Sequence, residues 1–109
     1  SSMEGALEAF GRLNKRKHKM VILGDMFELG EYTIAEHEKL GMLVNAMELD
    51  KICFTGQHTQ HALSIAPKAL YFPDAFSLRN WLKDSKLEDY QILIKGSRGM
   101  KLEGLLDFI

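Results

Sequence analysis

Residues 95–99 read "KGSRG" and residues 24–30 read "GDMFELG". Each stretch follows a short apolar run and sets charged or hydroxyl side chains among glycines. In the first, free N–H groups at the start of a following helix would attract an anion. The Arg98 guanidinium would hold a carboxylate or phosphate through two parallel hydrogen bonds. Ser97 is placed to cap that helix, and Gly96 and Gly99 would let a ligand come close to the backbone. The same residues also fit a tight turn with a solvated arginine. In the second stretch, Asp25 stands just past an apolar strand, where an acid could accept a hydrogen bond from a ribose hydroxyl. It could equally cap a turn. Glu28 and Glu31 read as solvated loop charges.

Other candidates are weaker. His58 and His61 have a spacing that could bring both to one metal, but no cysteine or carboxylate stands near enough in sequence to complete a site. A helix surface or packing role is the simpler reading, and no metal site is assigned. His37, between Glu36 and Glu38, reads as structural or as polar surface. The tract "RLNKRKHK" at 12–19 offsets a helix macrodipole as a solvated helix end. Without interleaved aromatic residues it does not read as a nucleic-acid site. No GxxxxGK[ST], GxGxxG or HExxH pattern occurs, so the chain carries no triphosphate cradle of its own.

These loops need a scaffold. The 109 residues are 46% apolar and 27% charged, with a net charge of −1, which suits one globular domain with one core. That balance gives no global attraction to nucleic acid or membrane. No apolar run approaches the ~18 residues of a membrane span. The single cysteine, Cys53, suits a reducing cytoplasm.

The elements alternate. A helix over about 2–14 opens on a capping-box spacing (Ser1, Glu4), and strand 20–23 follows. A second such spacing (Thr33, Glu36) opens a helix to about 48. Strand 51–54, a helix over about 57–66 and strand 69–72 come next. Pro73 and Asp74 open a helix carrying Leu78, Trp81 and Leu82, and strand 90–94 leads to a last helix marked by Leu102, Leu105, Leu106 and Ile109. Short, continuously apolar strands alternating with helices predict an α/β domain. Its sheet should be mostly parallel and doubly wound, with the three layers of a Rossmann-like fold. Opening on a helix points to a piece of a longer chain, with one further strand upstream. In such sheets ligands bind beyond the carboxyl ends of the strands. "LGDMFELG", "TGQH" and "KGSRG" all fall there.

"VILGDMFELGEYTIAEHEKLG", "ICFTGQ", "YFPDAFSLRNWL" and "ILIKGSRGMKLE" occur in an order that resembles the C-terminal domain of the Mur ligases of bacterial cell-wall synthesis. "LGDM-ELG" with "KGSR" is most similar to the branch that adds D-Ala-D-Ala to UDP-N-acetylmuramoyl-tripeptide. The likeness extends from "SSMEGALEAF" to the last helix. It implies the third domain of a cytoplasmic, ATP-dependent enzyme that forms an amide through an acyl phosphate. ATP and magnesium would be held mainly by a central domain outside this sequence, so no catalytic residue is expected here and the isolated chain should be inactive. Asp25 would correspond to an acid at the ribose side of the nucleotide, and Lys95, Ser97 and Arg98 to the loop facing D-Ala-D-Ala. Glu28, His37 and Glu103 fall in matching stretches without an implied role. Two alternatives stay open: the same domain in another Mur-type amino-acid ligase, or a stand-alone nucleotide- or anion-binding module.

Overall fold

The computed structural model describes residues 2–13 and 17–109. The capping box expected at Ser1 lies outside them. Helix α1 (Ser2–Gly11) leads to strand β1 (His18–Gly24), and a 3₁₀ turn (Gly30–Tyr32) precedes α2 (Thr33–Asn45). Then come β2 (Lys51–Thr55), α3 (Gln60–Leu63), β3 (Leu70–Phe72), α4 (Ala75–Asp84) and β4 (Tyr90–Lys95). Two further 3₁₀ segments, Arg98–Met100 and Leu102–Phe108, finish the chain. The four strands form one all-parallel sheet in the order β3-β2-β1-β4.

The strands are continuously apolar because both faces of the sheet are covered. Val21 and Leu23 of β1, with Ile52 and Phe54 of β2, face one layer: Leu7 and Phe10 of α1, Leu40 and Val44 of α2, and Ala62 of α3. Met20, Ile22 and Cys53 point the other way, onto Leu78 and Leu82 of α4 and onto Leu102 and Leu105. Each such fully buried aliphatic side chain contributes on the order of 1.5–3 kcal/mol. Burial also pushes the Cys53 thiol up to about 12, so it serves as a small core residue. Gly41 is where α2 meets α3: a Cβ there would lie 2.7 Å from the Ala62 carbonyl oxygen.

Local capping follows the sequence in one place and departs from it in two. Asp74 caps α4 as read, its carboxylate accepting from the Ser77 N–H at 2.8 Å. Thr33 does not form the expected box. Its hydroxyl donates backwards to the Gly30 carbonyl at 2.8 Å, and the helix starts from Tyr32 without a side-chain cap. The last helix is also different, being 3₁₀ and interrupted at Lys101, whose φ of 52° lies in the left-handed region. Only Leu102 and Leu105 of its apolar residues are buried, while Leu106 and Ile109 are exposed.

The winding locates the site. From β1 the chain steps outward to β2 and β3, then returns by α4 to β4 on the other side of β1. The loops leaving β1 and β4 therefore part from neighbouring strands, the place where an open parallel sheet forms its ligand crevice.

Candidate functional site

The segment 25–27 is tied to three other parts of the chain. The Asp25 carboxylate is buried and accepts three backbone N–H groups from the loop after β2. Its Oδ2 receives Gln57 at 2.9 Å, and its Oδ1 receives His58 and Thr59, both at 2.9 Å. The carboxylate thus caps the turn that follows β2. Gly56 is fitted to it: φ is +119°, and a Cβ would lie 2.5 Å from the carboxyl carbon. The Tyr71 hydroxyl donates to the Gly56 carbonyl and holds the same loop from the β3 side.

Ser97 joins the loop after β4 to the loop after β1. Its N–H donates to the Asp25 carbonyl at 2.9 Å, and its Oγ accepts from the Phe27 N–H at 2.8 Å. It stands at the position that precedes a helical turn, but its side chain makes no capping bond there. The expected N-cap is thus replaced by a bond to a residue far away in sequence, because Phe27 N–H has no partner within its own loop.

The glycines of "KGSRG" make room for the protein itself. A Cβ on Gly96 would come within 2.9 Å of Leu102 and 3.1 Å of the Gly24 Cα, and one on Gly99 within 2.8 Å of the Phe27 ring. Packing within the protein is therefore by itself enough to require glycine at both positions.

Lys95 and Arg98 are disposed differently. Lys95 ends β4 and lines, with Ser97, a cavity of about 630 Å³ bounded by Met26, Phe27, Glu8 and Glu36. The same turn, Lys95 and Ser97 included, borders a second cavity of about 540 Å³ along β4, lined also by Arg98, Glu103, Leu106 and Ile109. Arg98 is exposed, and among the described residues no ion pair holds its guanidinium. Glu28 is exposed with a φ of 63°, a strained loop position outside both cavities.

Two residues are built more deeply into the fold than their local sequence suggests. His37 is fully buried, and both ring nitrogens are used: Nδ1 donates to the Thr33 carbonyl at 2.7 Å, and Nε2 accepts from the Met26 N–H at 3.1 Å. Burial lowers its pKa below 6.5, which keeps the ring neutral, as the acceptor role requires. Lys19, read with its basic tract as solvated, is buried. Its Nζ donates to the carbonyls of Phe10, Gly11 and Leu13 at 2.9, 3.4 and 3.0 Å and closes the end of α1. The spacing of "EHE" gave no sign of the first, and the macrodipole argument gave only the direction of the second. His58 packs against His37 and Phe27, with centroids 5.7 and 6.5 Å away. Among the described residues no three His, Cys, Asp or Glu side chains converge as a metal-binding group.

Nearly the whole of this chain matches part of known proteins. It is 30% identical over 109 residues to the UDP-N-acetylmuramoyl-tripeptide–D-alanyl-D-alanine ligase of Buchnera aphidicola, covering 98% of this chain and 24% of that protein. It is 28% identical over 112 residues to the ligase of the same name from Bacillus subtilis, covering 97% and 24%. A crystal structure of MurF from Acinetobacter baumannii superposes with a TM-score of 0.82 at 30% identity, over 97% of this chain and 24% of that one. This chain is a homologue of the MurF C-terminal domain. It spans about a quarter of the length of the MurF relatives it matches. No family model matches it. The four-stranded parallel sheet is the MurF C-terminal fold, as the alternation of elements predicts.

Proposed function

We propose that this chain is the acceptor-binding and closing domain of a MurF-type ligase that joins D-Ala-D-Ala to UDP-N-acetylmuramoyl-tripeptide. What supports the reading is one juxtaposition in a MurF homologue. The loops after β1 and β4 are bonded together at the crevice of the sheet, and they present Lys95 beside a cavity and Arg98 without an ion-pair partner among the described residues.

The reaction has two steps. The tripeptide carboxylate takes the γ-phosphoryl group of ATP, giving an acyl phosphate and ADP. The amine of D-Ala-D-Ala then attacks the acyl carbon, the C–O bond to phosphate breaks, and the amine loses a proton. Magnesium, when bound, supplies charge neutralisation at the phosphoryl group. This chain offers neither a phosphate cradle nor a converging metal-ligand group among its described residues, so both tasks are assigned to the rest of the protein.

The residues here do the positioning. Arg98 would clasp the D-Ala-D-Ala carboxylate bidentately, and Lys95 would add positive charge on the cavity side. Ser97 can offer its hydroxyl hydrogen while accepting from Phe27. Asp25 would serve the nucleotide side by holding the 57–59 loop in shape. Fixing the amine near the acyl carbon turns a bimolecular encounter into a local one. The protein would work in the cytoplasm, where ATP is supplied; among the described residues no helix is long and apolar enough to cross a membrane.

The test is phosphate release by the full-length ligase with ATP, the UDP-linked tripeptide and one acceptor at a time. The reading expects turnover with D-Ala-D-Ala and none with L-Lys, D-Glu or L-Ala. Turnover with one of the others would assign the domain to another amino-acid ligase, and none with any acceptor would leave a binding module.

A further inference from the structure

The loop that lines the Lys95 cavity is held at three points, and His37 is the one that can be switched. Met26 and Phe27 line it together with Lys95 and Ser97. Phe27 N–H is fixed by Ser97 Oγ, and the Asp25 carbonyl by Ser97 N–H. Met26 N–H is fixed by His37 Nε2, from the first turns of α2. Backbone groups do not titrate in the physiological range, and a serine hydroxyl can accept at any such pH. An imidazole accepts only while it is neutral.

We propose that His37 is a positioning residue for the acceptor site: its neutral Nε2 anchors Met26, and through it the adjoining Phe27, on the cavity wall, and protonation breaks that anchor. On protonation, Nε2 gains a hydrogen that faces the Met26 N–H, so an attractive contact becomes donor against donor. Turning the ring to escape would break the bond from Nδ1 to the Thr33 carbonyl, and the tilted His58 ring lies beside it with centroids 5.7 Å apart. Asp25 on the β1 side favours the charged ring, whereas His58 and His61 on the α3 side oppose it. Burial is the largest influence; acting in the same direction as the two histidines, it outweighs the Thr33 hydrogen bond and Asp25, which favour the charged ring, and holds the pKa below 6.5.

The kinetic consequence rests on the ligase reading, so the test has one arm that needs no substrate. In the full-length protein, ¹⁵N-labelled histidine would report the His37 tautomer and its titration. The amides of Met26, Phe27 and Ser97 would be followed over the same pH range. The expected result is an Nδ1–H tautomer near pH 7.5, with the three amides shifting together as His37 protonates. Protonation that leaves the Met26 and Phe27 amides unmoved would overturn the proposal, whatever the enzyme does.

In the kinetic arm, His37→Asn is too short to reach Met26 N–H, whereas His37→Gln can present an oxygen near the Nε2 position. The Asn variant should raise the acceptor KM about fivefold or more, the loss of roughly one hydrogen bond's worth of positioning. The Gln variant should recover most of that and lose the acid limb of the wild-type KM profile. Equal acceptor KM values in wild type and the Asn variant, with both folded, would contradict the role. A wild-type protein that turns over no acceptor would instead refute the ligase reading and leave the titration to decide the proposal.

Discussion

Two buried charges stand at opposite ends of β1, and each is satisfied by three backbone groups. Lys19 donates to three carbonyls at the end of α1. Asp25 accepts from three N–H groups after β2. The first closes a helix and has that one task. The second shapes a loop in a crevice that also holds Lys95, Ser97 and Arg98. A charge inside a protein is tolerable when backbone dipoles replace its water, and that fully employs it. The groups free to meet a ligand are those the fold has not used: the exposed arginine and the half-buried lysine.

Removing either charge should show how much each end depends on it. Asp25→Ala strands three N–H donors, each worth about 1–3 kcal/mol when left unpaired. A loss of about 3 kcal/mol or more in urea unfolding is expected, with Asp25→Asn recovering part of it through its one carbonyl oxygen. Lys19→Met keeps the stem and strands carbonyls near a helix end that water can reach, so about 2 kcal/mol should be lost. If Lys19→Met cost more than Asp25→Ala, the ranking of the two ends would be reversed.

Gly56→Ala attacks the same loop sterically. The left-handed φ and the collision with the Asp25 carboxyl should together cost on the order of 2 kcal/mol, whereas Gly5→Ala, with nothing near its Cβ, should be neutral or slightly stabilising. Equal thermal midpoints for the two would argue that the 56–59 loop is not packed as described.

Acid should loosen the two ends at different pH. His37 has a folded pKa below 6.5, so its contribution is complete above 6.5 and is lost as pH falls from there through the folded pKa. Asp50, at the Lys19 end, has its carboxyl held below 3.8, first by the Lys19 backbone N–H. Its contribution is complete above 3.8 and lost only at lower pH. As pH falls from 6.5 to 4, amide protection factors should therefore drop around Met26 before they do around Lys19. Simultaneous loosening would erase the distinction.

What the sequence disclosed follows the range of each interaction. The strands were legible because both faces are buried, which leaves a continuous apolar signature. Asp74 was legible because its partner, Ser77, is three residues away. Thr33 misled because a hydroxyl can serve the turn before it as readily as the helix after it. Asp25 was ambiguous because its partners lie 32 to 34 residues downstream, and Ser97 because Phe27 lies 70 away. His37 was opaque for the same reason: nothing within "EHE" encodes a bond to Met26. The packing role of the glycines of "KGSRG" was hidden for the same reason, since Gly24, Phe27 and Leu102 beside them are distant or unmarked in the sequence.

The smallest effect on stability should come with the largest effect on the acceptor. Arg98→Ala removes an exposed side chain with no ion-pair partner among the described residues, so unfolding should change by no more than about 0.5 kcal/mol. The most direct test of the account is the steady-state KM of this variant in the full-length ligase, for D-Ala-D-Ala and for ATP separately. A rise of about tenfold or more is expected for D-Ala-D-Ala, the loss of a charge-assisted carboxylate contact, with the ATP value and thermal midpoint unchanged. An unchanged D-Ala-D-Ala KM, or an equal rise for both substrates, would contradict it.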